Sequence, residues 1–126
     1  MTTIFGTEEI LLFGGTDNNQ DTWIYDFRSN MWTEKFPNTR PLGRQYYAMT
    51  AIYDTDNVMI FGGINWGLGR QNDTWIYDPA ANSWSIFYPP IKPRGRVGHS
   101  MAPIYGTDKV LIFGGINNKI FLLPKL

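Results

Sequence analysis

Asp21-Thr22-Trp23-Ile24-Tyr25-Asp26 is written a second time as Asp73-Thr74-Trp75-Ile76-Tyr77-Asp78, 52 residues further on, and Trp32 returns as Trp84. Around this hexapeptide the triplet Phe13-Gly14-Gly15 occurs again at Phe61-Gly62-Gly63 and at Phe113-Gly114-Gly115. A period of this size marks a repeat array, in which each unit hides its apolar faces against its neighbours. Thr-Trp-Ile-Tyr is β-branched and aromatic, the composition of a strand, and Val58-Met59-Ile60-Phe61 is a continuous apolar run of the kind covered on both faces.

The second unit is predicted to carry strands over 46–53, 58–61, 74–77 and 83–87, separated by the turns Asp54-Thr55-Asp56-Asn57 and Asp78-Pro79-Ala80-Ala81-Asn82. A proline-rich connection, Tyr88-Pro89-Pro90-Ile91-Lys92-Pro93, leads to the next unit, and no window has helical periodicity. Four short antiparallel strands per unit match the blade of a β-propeller. The expectation is an all-β chain with an incomplete blade over 1–36, a complete one over 37–88 and an incomplete one over 89–126, too few to close a ring. Met1-Thr2-Thr3-Ile4-Phe5-Gly6-Thr7 aligns without a gap to Met101-Ala102-Pro103-Ile104-Tyr105-Gly106-Thr107, which puts Met1 within a first strand. At the other end, 119–123 is expected to form a third strand.

The double glycine closing strand two, the Tyr-Asp near the end of strand three and the tryptophan of strand four resemble the kelch repeat, and Arg96-Val97-Gly98-His99-Ser100 resembles its strand-one opening. The resemblance covers essentially the whole chain. Arg44-Gln45-Tyr46-Tyr47-Ala48 departs from the Gly-His-Ser form at the corresponding place in the second unit. The resemblance implies kelch-type blades, galactose oxidase-like in architecture, and binding through the face with the longer loops.

Eleven basic and eleven acidic residues cancel, so no overall field favours nucleic acid or an anionic membrane, and neither is expected as a partner. Cysteine is absent, which removes disulfides and thiolate chemistry and leaves the compartment open. His99 is the single histidine, so no multi-histidine metal site or pair of histidine acid-bases can be assembled from this chain. Galactose oxidase, which has kelch-type blades, uses a copper site with two histidines and a cysteine-linked tyrosine that these residues cannot supply. No cofactor and no catalytic residues are expected. The Gly-Gly pairs lack the Gly-Lys-Ser/Thr of a phosphate loop and fit backbone turns at positive φ.

Strand alternation assigns loops to faces. Connections from strand four to one and from two to three share a face with Arg40, Arg44, Arg70, Lys92, Arg94 and Arg96, opposed by Asp17. The other face carries Glu8, Glu9, Asp26, Asp54, Asp56, Asp78 and Asp108, with Arg28 and Lys109 against them. The candidate ligand-binding residues are therefore Trp66, Arg70, Arg44, Arg94, Arg96 and His99. Arginine forks suit an acidic peptide or other anionic group; the competing reading is that Arg44 and Arg96, at equivalent repeat positions, brace adjacent blades. Nine residues separate Gly63 from Asp73 where five separate Gly15 from Asp21, and the insertion places Trp66 among glycines beside Arg70. Trp66 either presents a binding hot spot or folds back on its own blade. Trp23, Trp75, Trp32 and Trp84 are expected to fill space between blades.

Three functions follow as expectations: a non-catalytic module binding a protein or acidic peptide, a fragment of a larger kelch-type carbohydrate-active enzyme, or a partial propeller whose copies complete one another as a homo-oligomer.

Overall fold

The computed structural model describes residues 1–117. Along these the chain forms β1 (Thr2–Thr3), β2 (Glu9–Phe13), β3 (Thr22–Asp26), β4 (Met31–Lys35), β5 (Ala48–Ala51), β6 (Val58–Phe61), β7 (Ile64–Asn65), β8 (Gly69–Arg70), β9 (Thr74–Asp78), β10 (Ser83–Phe87), β11 (Arg96–Val97), β12 (Ser100–Pro103), β13 (Val110–Phe113) and β14 (Ile116–Asn117). The first sheet runs β1-β2-β3-β4 and the second β5-β6-β9-β10, both antiparallel throughout. Two strand pairs, β12–β13 and β11–β14, begin a third unit. The third strand expected over 119–123 lies outside the described residues. Among the described residues the chain is thus a row of antiparallel propeller blades that does not close into a ring. The first strands β1, β5 and β12 neighbour one another along its inner side.

Tyr46, at φ 55, turns the backbone and shortens the strand expected over 46–53 to Ala48–Ala51. Gln45 bridges Ile64 instead, and Val97 pairs with Ile116 in the same way one unit on. The four-residue insertion forms a hairpin of its own, with Ile64 paired to Arg70 and Asn65 to Gly69.

The duplicated hexapeptide buries opposite faces in its two copies. In β3, Thr22 and Ile24 are buried; in β9, Trp75 and Tyr77 are buried. The first blade is covered on one flank by the second, and the second on its opposite flank by the first. Ile4, Leu11, Phe13 and Ile24 therefore meet Val58, Ile60, Trp75, Tyr77 and Trp84 in one core between the sheets. Trp84 anchors it: its ring meets Phe13 edge-on at 5.2 Å, and its indole N–H donates to Thr22 Oγ1 at 3.1 Å. Its counterpart Trp32, on the flank that faces away, is 47% exposed.

Side chains from strand one tie each blade to its predecessor. Tyr47 donates its hydroxyl proton to the Phe13 carbonyl, and His99 Nε2 lies 2.8 Å from the Phe61 carbonyl. Two backbone bonds reinforce the second junction, Gly63 N–H to Arg96 carbonyl at 2.8 Å and Gly98 N–H to Tyr46 carbonyl at 3.1 Å. The double glycine is what permits this approach. Gly62 and Gly63 sit at φ 72 and 88; a Cβ on Gly62 would stand 2.8 Å from His99 Cε1, and one on Gly63 2.7 Å from the Gln45 carbonyl oxygen.

Candidate functional site

The loop faces separate as strand alternation dictates. On one, the Asn65 amide donates to the Gly43 carbonyl at 2.9 Å, and the Trp66 N–H donates to Asp17 at 2.8 Å, joining the strand two-to-three loops of two blades to a strand four-to-one connection. On the other, Arg28 pairs with Glu8 at 2.8 Å.

Of the candidates on the first face, Arg44 is withdrawn. Its side chain is fully buried, with Nε donating to the Leu42 carbonyl at 2.9 Å and Nη1 to the Gly62 carbonyl at 3.0 Å. Nη1 and Nη2 grip the Asp73 carboxylate at 2.5 and 2.8 Å. Burial pushes the Asp73 carboxyl up, but the hydrogen bonds and charge of Arg44 outweigh it and hold the pKa below the ordinary value. Arg44 braces the second and third strands of its own blade, rather than adjacent blades, and presents nothing to a ligand. Arg96 repeats the backbone half of the arrangement, Nε to Arg94 carbonyl at 3.2 Å and Nη1 to Gly114 carbonyl at 2.9 Å. Among the described residues no carboxylate pairs with Arg96 as Asp73 pairs with Arg44.

His99 is withdrawn as a surface ligand for the same reason. It is buried, its Nε2–H points at a carbonyl that can only accept, and burial pushes its pKa down, assisted by the Arg96 charge and opposed by the Phe61 bond. The ring is therefore neutral at pH 7, a joint between blades.

Trp66 stays on the surface. It is 66% exposed at the tip of the β7–β8 hairpin, with Leu68 also exposed beside it, so it does not fold back on its blade. The tip is stiff: Asn65 Oδ1 accepts from the Gly67 and Leu68 N–H groups at 3.0 and 3.2 Å, while its amide is anchored on Gly43. Arg70 is half-buried on β8, and its carbonyl lies 2.9 Å from the Cβ position of Gly95, which sets exposed Arg94 alongside the hairpin base. Arg40 and Lys92 are exposed on the same connections.

Sequence reasoning missed Tyr46. It is exposed and holds a positive φ that a side chain disfavours, at the place Gly98 occupies one unit later. The alignment of Tyr46 with Gly98 was the available signal.

Blades, inter-blade joints and loop faces define a protein of the β-propeller class. The family model for the KLHDC2/KLHL20/DRC7 Kelch-repeats domain matches residues 1–123, and the chain belongs to the kelch-repeat family. It is 29% identical over 105 residues to Kelch domain-containing protein 1 of Mus musculus, covering 83% of this chain and 24% of that protein. It is 34% identical over 108 residues to an F-box/kelch-repeat protein of Arabidopsis thaliana (75% of this chain, 22% of that protein). Kelch-like protein 6 of Homo sapiens matches at 29% over 113 residues, 89% of this chain and 17% of that protein. The chain thus spans about a quarter or less of the length of these curated relatives.

Proposed function

We propose that this chain acts as a non-catalytic interaction module, presenting its loop face to an acidic peptide segment of a partner protein. The observation that carries this is the hairpin tip, where Trp66 and Leu68 are held in water by hydrogen bonds made beneath them. A rigid, wet tryptophan gains by burial against a partner and loses little entropy in doing so. Exposed Arg94, alongside the hairpin base, supplies the complementary charge, with Lys92 exposed on the same connection.

Selection of displayed peptides on the chain tests this, with counter-selection on a Trp66→Ala/Arg94→Ala variant. Acidic sequences that bind the chain and release from the variant are expected. Enrichment without acidic bias, or equal retention on the variant, would refute it. A second reading, association of copies through blade flanks, is favoured by the exposure of Trp32, Leu111 and Phe113. Sedimentation showing only monomer at high concentration would dismiss that reading.

A further inference from the structure

We propose that Tyr46 is a second anchor of the loop face, receiving an apolar side chain of the same acidic peptide that Trp66 binds; this rests on the acidic-peptide reading above. Its backbone singles it out. Four non-glycine residues among those described hold a positive φ, and three of them, Asn30, Asp54 and Asn82, are of the types that tolerate it. Tyr46, at φ 55, is the exception.

The bend itself is required. Gln45 pairs with Ile64 before the chain turns into β5, as Val97 pairs with Ile116 before β12. The third unit makes that bend at Gly98, φ 68, with no Cβ to strain it. Packing does not account for a tyrosine there. The side chain is 62% exposed, its ring stacks on no other aromatic ring, and its hydroxyl makes no hydrogen bond among the described residues. The neighbouring Tyr47 takes the structural role instead, through the Phe13 carbonyl. Nor is the exposure that of an uncovered flank, because units on both sides are in place. The Gly98 N–H of the third donates to the Tyr46 carbonyl at 3.1 Å, and Gln45 Nε2 reaches Asp17 of the first at 3.4 Å.

Position identifies the occupant. Tyr46 follows the residue that pairs with Ile64, so it opens on the face where the same hairpin carries Trp66 at its tip. Across the antiparallel bridge it stands opposite Gly63, three residues from Trp66, or roughly 10 Å of extended chain. A short peptide held at Trp66 spans that distance. Tyrosine offers it a large contact area with only two torsions to fix. A strained residue kept in water is the pattern expected where the side chain serves contact and not stability.

The probe is a displayed library of random dodecapeptides, panned on the full chain and on its Tyr46→Gly and Tyr46→Ala variants. Tyr46→Gly relieves the strain, so Tm should rise by about 3 °C. Recovery of the acidic peptides enriched on the unaltered chain should fall at least about fivefold on that variant. Tyr46→Ala keeps the strain and loses the ring, so recovery falls as far and Tm does not rise. A lower Tm for Tyr46→Gly would make the ring structural and overturn the proposal. Undiminished recovery on either variant would overturn it and leave the acidic-peptide reading standing, whereas no acidic enrichment on the unaltered chain removes both.

Discussion

Arg44→Ala and Arg96→Ala remove side chains with equivalent backbone contacts and should differ sharply in cost. Arg44 is fully buried and bonded to Asp73, whose side chain is 21% exposed. Truncating it strands a carboxylate and opens a hole; breaking a buried pair costs about 3–5 kcal/mol. Partial exposure of Asp73 lets water recover some of this, which points to the lower end, about 3 kcal/mol, or about 10 °C in Tm for a chain of this size. Arg96→Ala forfeits two backbone hydrogen bonds in a more accessible setting and should cost below about 1 kcal/mol. Urea unfolding of the full chain, followed by tryptophan fluorescence, measures both. The Arg44→Ala/Asp73→Asn double variant should regain about 1–2 kcal/mol, since no charge is then left stranded. The Asp73 pKa lies below its unfolded value, so the ion pair contributes fully above about pH 4 and fades as pH falls through the depressed native value. Equal costs for the two single variants, or no recovery in the double, would refute the brace.

His99 titrates below its ordinary value in the folded chain, so its joint is intact above about pH 6.5 and weakens as pH falls through the lowered native pKa; His99→Tyr, which borrows the group that Tyr47 uses, should flatten the stability profile between pH 7 and 5 in parallel melts. Gly62→Ala should cost about 2 kcal/mol or more, because strain at positive φ is joined by a collision with His99 and Arg96, whereas Gly106→Ala, with open space around it, should cost only about 1 kcal/mol; comparative urea unfolding separates strain from crowding. Trp66→Ala should shift stability by less than about 0.5 kcal/mol while abolishing retention of the selected acidic peptides, and a large loss of stability would mean the indole is structural after all. Tyr47, pushed up to about 12 by burial, should resist ionisation in a spectrophotometric titration until the chain unfolds.

Strands were legible wherever the apolar pattern was strong. The duplicated Thr-Trp-Ile-Tyr-Asp became β3 and β9, Val58-Met59-Ile60-Phe61 became β6, and the loop faces followed from alternation alone. The fates of the arginines were not legible. Arg44 and Arg96 hold the same repeat position, and what buries one is a carboxylate 29 residues away in sequence. That link depends on how strands one and three converge. His99 looked like a ligand because histidine usually is polar surface or chemistry. Aligning it with Tyr47 reveals a shared structural task. The extra residues around Trp66 were visible as an insertion, but their hairpin pairing depends on Gly69 adopting φ 88 and on Asn65 reaching Gly43, which spacing does not encode.

One hexapeptide that serves equally well with either side turned inward makes the unit interchangeable. A further copy spliced between two existing ones would meet, on its left and on its right, surfaces already shaped to receive it. Lengthening such an array asks only for duplication of a segment of gene, with no redesign of the seams. Circumference can then drift over evolutionary time while the joints between wedges stay the same.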